Sequence, residues 1–160
     1  MVNNCEILSP AGSWEALKAA AAAGADAVYF GGSSFNARRN AENFADGDIP
    51  AVVAYCHERG MRAYFTLNTV VFDGELEKAL ELAQKVCVAG ADAFILQDVG
   101  LASLLRSAAP KAKLHASTQM SVHNLAGVKA LAAMGFSRVV VARELSAGEL
   151  AEISAGSPIE

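Results

Sequence analysis

The chain reads as an α/β protein: a parallel (β/α) TIM-type barrel, truncated to about six of the eight βα units. Three observations predict this. One phrase recurs where a helix hands over to a strand, as GADAVYFGG from Gly24, GADAFILQD from Gly90 and the looser GFSRVVVARE from Gly135. In each copy a glycine able to take a positive φ closes the helix, and the apolar, β-branched or aromatic run after it suits a strand buried on both faces. Strands and helices also alternate strictly, which calls for right-handed crossovers and a parallel sheet covered by helices. Finally, no Gly-rich GxGxxG turn follows the opening strand, and Ser9-Pro10-Ala11-Gly12 is a poor phosphate cradle, which disfavours the doubly wound alternative.

Taken in order, the strands are predicted near Glu6–Leu8, Ala27–Phe30, Arg62–Leu67, Ala93–Gln97, Lys113–Ala116 and Arg138–Ala142. The helices follow near Ser13–Ala23, Pro50–Arg59, Gly74–Ala89, Val99–Ala108, Asn124–Met134 and Ala147–Ser154. Ser146 with Glu149 makes a capping box, Asp73 and Asp98 stand at N-cap positions, and Pro50 suits a first turn. A complete barrel takes about 250 residues, so 160 residues hold only part of one. Ser157-Pro158-Ile159-Glu160 reads as a turn entering a seventh strand. The chain is therefore expected to be a single N-terminal part of a barrel domain whose remainder lies outside it. The edges of the first and sixth strands would then invite self-association.

Hydrophobic residues make up 53% of the chain and charged residues 19%, which excludes disorder. No apolar run of about 18 residues and no signal-type start is present, so a cytoplasmic protein without membrane attachment is expected. A net charge of −4 opposes a generally basic nucleic-acid surface while leaving room for a local anion site. Cys5, Cys56 and Cys87 are far apart and form no CxxC pair. They read as small buried thiols, with no metal or cofactor site in this chain.

In such barrels chemistry sits at the C-terminal ends of the strands. The segment from Gly31 to Gly47 is the long connection there, and it carries Asn36, Arg38, Arg39, Asn40 and Asn43 between Phe35 and Phe44. Paired arginines beside amides and aromatics suit a carboxylate, a phosphate or a nucleobase; the plain alternative is a solvated loop paired to Glu42, Asp46 and Asp48. Asn68 ends the third strand, either holding a polar ligand or satisfying its own turn. Asp98 ends the fourth, as a helix cap or a catalytic carboxylate. On the fifth, His115 and Ser117 share a face and Gln119 extends the row toward the pocket. His115 is then a pocket base or binder, or else a core histidine. Arg143 and Glu144 follow the sixth strand, as an anion site or an internal pair, and Glu144 stands with His115 and Asp98 as a candidate catalytic group. No activated nucleophile, HExxH motif or serine-hydrolase motif is readable.

Seven motifs in register, CEILSPAG, GADAVYFGG, FNAR…NF, RAYFTLN, GADAFILQD, LHASTQMSVHN and RVVVARELS, closely resemble the N-terminal part of the U-32 peptidase family, the collagenase-like proteases of bacteria. The resemblance implies a barrel catalytic domain continuing past Glu160 and a peptidase activity by name. It also implies an alternative, because several similar members act in oxygen-independent hydroxylation of transfer RNA, ribosomal RNA or a quinone precursor. Those members hold an iron–sulfur cluster through cysteines after the seventh strand, which Cys5, Cys56 and Cys87 do not match. The family's polar strand-end positions fall on Arg38, Asn43, Asn68, Asp98, His115, Gln119, Arg143 and Glu144, and the second arginine, Arg39, is unusual. The implied partners are a peptide, an RNA or an anionic small molecule. A non-catalytic binding module is the third reading, and the chain by itself is not expected to turn over substrate.

Overall fold

The computed structural model describes residues 5–37 and 42–160. Strands β1 (Leu8–Pro10), β2 (Ala27–Gly31), β3 (Arg62–Leu67), β4 (Ala93–Leu96), β5 (Leu114–Ala116) and β6 (Arg138–Val139) form one parallel sheet in sequential order. Each leads to a helix: α1 (Trp14–Ala22), α2 (Ile49–His57), α3 (Leu76–Ala89), α4 (Val99–Ala108), α5 (Leu125–Ala133) and α6 (Ala147–Gly156). A doubly wound sheet would reverse its strand order at a switch point, and this one never does.

Side chains separate by the two-residue period of the strands. Val28, Phe30, Ala63, Phe65, Leu67, Phe94, Leu96, Leu114 and Ala116 face outward into one core with Leu17, Val52, Leu82, Leu101 and Val128 of the helices. The alternate residues Ala27, Tyr64, Ala93 and Ile95, with Leu8 and Tyr29, form a smaller cluster on the inner face. Fully buried side chains such as Phe65 and Leu101 each contribute about 2 kcal/mol of apolar burial.

The sheet is curled into a half-barrel. Five strand spacings of about 4.8 Å would set β1 and β6 about 24 Å apart if it were flat. Yet Glu6, just ahead of β1, meets Arg138, which opens β6, at 2.6 Å across the concave side. One ion pair therefore spans the two ends of the sheet.

Local signals act as the residues dictate. Gly90 caps α3 at φ 84°, and the two other glycines that open the repeated phrase share this left-handed geometry. Ser146 and Glu149 cap α6 reciprocally, and Pro50 lies in the first turn of α2. Asp73 does not act as an N-cap; it opens a 3-10 turn instead, and the Glu75 carboxylate accepts the Phe72 N–H at 3.0 Å. β1 begins two residues later than expected, because the Asp26 carboxylate takes the Ile7 N–H at 2.7 Å and the ladder starts at Leu8 opposite Ala27. β6 stops at Val139 because β5 turns into a 3-10 segment at Thr118–Met120 and offers no further edge. On its other side, the Val139 N–H donates to the Glu160 carbonyl at 2.7 Å and the Glu160 N–H to the Ser137 carbonyl at 3.2 Å, continuing the parallel pattern.

Of the cysteines, only Cys56 is buried; Cys5 and Cys87 are exposed, contrary to the expectation of three buried thiols. Their neighbours in sequence are apolar, but Cys87 lies on the outward side of α3. Among the described residues no helix is long and apolar enough to cross a membrane.

Candidate functional site

The concave face has a charged floor at the N-terminal ends of the strands. Glu6 accepts a hydrogen bond from the Tyr64 hydroxyl at 2.6 Å and pairs with Arg62 at 3.1 Å and Arg138 at 2.6 Å. Arg138 also reaches Glu160 at 2.6 Å. Burial alone would raise the Glu6 pKa, but the Tyr64 hydrogen bond and the two guanidinium groups outweigh it and hold the carboxyl below its ordinary value. Burial, and then the bond to Glu6, push Tyr64 up to about 12. Sequence reasoning did not single out Glu6, Arg62, Tyr64 or Arg138. The available signal was a charge at the mouth of three otherwise apolar strands, at the same place in each unit.

One layer up, His115 sits mid-strand on β5, 5% exposed, with its ring edge-to-face on Tyr64 at 4.8 Å. Burial, reinforced by the positive Arg138, lowers its pKa to about 4, so the imidazole is neutral at pH ~7. Ser117 lies buried beyond it, its hydroxyl accepting the Gln119 N–H at 3.2 Å. Among the described residues no hydrogen bond joins His115 to Ser117, which leaves the serine without an adjacent base. Gln119 does not extend the row: the strand ends at Ala116, and Gln119 is exposed in the 3-10 turn, its carbonyl accepting from the Gln97 amide at 3.4 Å.

The rim at the C-terminal ends is a network of neutral amides. Asn36, buried, donates to Asn43, and Asn68 at the end of β3 accepts the Ala37 N–H at 3.1 Å, tying the β2 loop to the next strand. Gly31 makes room for this, since a Cβ there would lie 2.1 Å from the Asn36 amide nitrogen and 2.8 Å from the Thr66 hydroxyl. Ser33 donates to Asp46 at 3.2 Å. Phe44 is buried against Phe30 and Trp14, edge-to-face, and anchors the loop. Phe35 also packs against the core, and it holds a left-handed φ of 55°, as Ser121 does at 53°. Two non-glycine residues in that region, both on this rim, are the kind of local strain that gathers at functional sites. Arg38 and Arg39 lie outside the described residues.

Both Asp98 oxygens are engaged: one caps α4 through the Leu101 N–H at 2.8 Å and the other takes the Val71 N–H at 3.3 Å. Arg143 and Glu144 are exposed in the turn after β6 and make no ion pair with each other. The structure thus brings Asn36, Asn43 and Asn68 together, and Gln97 with Gln119. It leaves His115 deeper and the Arg143–Glu144 pair apart. Beside the rim, an open groove of about 780 Å³ runs between the Ser34–Ala37 segment, the Thr69–Phe72 segment and α3.

No cluster of three or more His, Cys, Asp or Glu residues among the described ones could hold a metal ion. Cys56 is buried on α2, its thiol pushed up to about 11 mainly by desolvation, and Cys87 is raised by burial as well. Cys5, Cys56 and Cys87 join no such cluster, so they do not fit an iron–sulfur site, which takes several thiolates converging on one centre.

Comparison with known proteins matches the chain to the family model of peptidase family U32 over residues 12–160. The 23S rRNA 5-hydroxycytidine C2501 synthase of Escherichia coli is 40% identical over 148 residues, 92% of this chain and 22% of that protein. The tRNA hydroxylation protein P1 of Bacillus subtilis is 34% identical over 97% of the chain and 37% of its own length. The collagenase of Porphyromonas gingivalis is 35% identical over 95% and 36% respectively. The chain thus spans between about a fifth and two fifths of these relatives. A solved U32 peptidase structure superposes with a TM-score of 0.76 at 12% identity, covering 97% of this chain and 66% of that one, a likeness of fold.

Proposed function

Because the chain belongs to peptidase family U32, we propose that it forms the first six units of a (β/α)8 barrel whose parent protein hydroxylates a pyrimidine base in RNA. The observation that carries this reading is the 40% identity, across 92% of the chain, to an rRNA 5-hydroxycytidine synthase. The rim chemistry agrees with it. Neutral amides at the rim, with the neutral imidazole of His115 below them, suit hydrogen bonding to the edge of a nucleobase. Asn68, Gln97 and Gln119 would orient the base, with Arg38, Arg39 and Arg143 near its phosphates. In this reading the redox group and its ligands come from outside this chain, and an RNA substrate accords with a cytoplasmic protein.

Peptidase action is the second reading, favoured by the 35% identity to a collagenase. It asks for an activated nucleophile, and Ser117 has no base within hydrogen-bonding reach among the described residues.

The test is mass spectrometry of nucleosides from rRNA and tRNA of cells lacking the gene. Loss of a 5-hydroxypyrimidine, restored by the intact gene, is expected. Unchanged hydroxylated nucleosides, together with gelatin hydrolysis by the purified protein, would reverse the order of the two readings.

A further inference from the structure

The groove beside the rim has features that neither the fold nor the packing requires. Its wall after β3 presents Val70 and Phe72 to solvent, 61% and 73% exposed, although both are apolar and stand on a segment pinned by the Asp98 and Glu75 carboxylates. An ordered backbone that displays an aromatic ring to water is a stacking platform. The facing wall is α3, where Lys78 and Lys85 are exposed, two helical turns and about 10.5 Å apart. Among the described residues neither lysine is in an ion pair, although Glu81 lies between them at helical neighbour spacings. The other carboxylates of the groove are turned to local partners, Asp46 to Ser33 and Glu75 to the Phe72 N–H. Ala37 lines the groove and donates its N–H to Asn68 on the rim, so the groove runs into the mouth of the barrel.

We propose that this groove binds the single-stranded RNA segment flanking the base presented to the barrel, with Phe72 stacked on a neighbouring base and Lys78 and Lys85 on successive parts of the phosphate backbone. The inference rests on the RNA reading above and extends it to a surface outside the barrel mouth. Two exposed ammonium groups along one line, opposite an exposed ring, match the alternation of charge and aromatic face in a nucleic-acid strand better than that of a peptide. Glu81 is then a local repulsive element that limits affinity.

The experiment measures binding of a fluorescein-labelled single-stranded RNA oligonucleotide by anisotropy through a salt titration. It uses the intact gene product and its Lys78→Ala/Lys85→Ala, Phe72→Ala and Glu81→Gln variants. The double lysine variant should bind about tenfold or more weakly, with the slope of log K against log salt reduced by about 1.4, twice the ~0.7 expected for each phosphate contact on a single strand. Phe72→Ala should lose at least about fivefold, and Glu81→Gln should bind more tightly. All these side chains are exposed, so circular dichroism and melting should match the wild type.

Unchanged RNA affinity and salt slope in the lysine variant overturns the proposal. So does a loss confined to a denatured collagen peptide, which would assign the groove to a peptide. Hydroxylated nucleosides measured in parallel separate the two inferences. Hydroxylation that persists with RNA binding insensitive to the groove sinks only the groove; RNA binding that depends on the groove without any hydroxylated product sinks only the reaction.

Discussion

Acidification should weaken this protein through His115, in a pH window set by its burial. The ring is 5% exposed, packed on Tyr64, and its pKa is lowered from 6.5 to about 4, first by desolvation and then by Arg138, with Lys113 and Arg62 acting in the same direction and Glu6 opposing. Between these two values the unfolded chain carries a proton on this imidazole that the folded chain does not. Stability therefore rises with pH across that interval. The contribution is fully present above 6.5, is lost as the pH falls toward 4, and changes no further below. At about 1.4 kcal/mol per pH unit the whole effect is about 3 kcal/mol, and about 2 kcal/mol of it is gone by pH ~5. Trp14, the single tryptophan, packs on Phe44 and Tyr55 and reports unfolding by fluorescence. Urea denaturation of the wild type and of His115→Phe, repeated between pH ~7 and ~5, should give a steep loss in the wild type and a flatter profile in the variant. Phenylalanine keeps the edge contact with Tyr64 and cannot titrate. Parallel pH profiles for the two proteins would refute the argument, because they would mean that the imidazole gains its proton without cost inside the fold. Glu6 titrates in a lower window: its carboxyl is held below 4.5, so the stability it supplies is present above that value and lost as pH falls through its folded pKa.

Three further outcomes follow from the same contacts. Glu6→Gln removes the ion pair across the concave side and leaves Arg138 with its neighbour Glu160, and should cost about 2–3 kcal/mol, read by thermal melting; a cost within about 0.5 kcal/mol would show that the cross-sheet pair does not hold the curl. Gly31→Ala must displace the Asn36 amide, 2.1 Å from the new Cβ, with an expected loss of about 2–3 kcal/mol and faster proteolysis between residues 33 and 46. Asp98→Ala removes the cap of α4 and the tie to Val71, about 1–2 kcal/mol, whereas Asp98→Asn keeps an acceptor oxygen and should be milder; activity lost in the Asn variant without loss of stability would instead give the carboxylate a chemical role.

Periodicity and helix signals were enough to read the six units, their order in the sheet and the helix that follows each. Those signals are local: a glycine at the end of α3, Ser146 with Glu149, Pro50 in its turn, and alternation that sorts Phe65 from Tyr64. The amides of the rim were legible as polar residues in the right loops, and the structure adds that Asn36, Asn43 and Asn68 act as one network. Gln119 was misplaced because alternation was carried one residue pair past the end of β5, where Ser117 caps a 3-10 turn.

What the chain determined by itself is the unit and its repetition, because a buried parallel strand and its helix are written in residues only a few positions apart. What tertiary structure alone decided is the closure of the concave side and the state of the groups within it. Glu6 meets Arg138 across 132 positions of sequence, and His115 is neutral because burial and then the positive Arg138 lower its pKa. Charge and dielectric depend on distance through space, and no spacing along the chain reports that distance before the sheet curls.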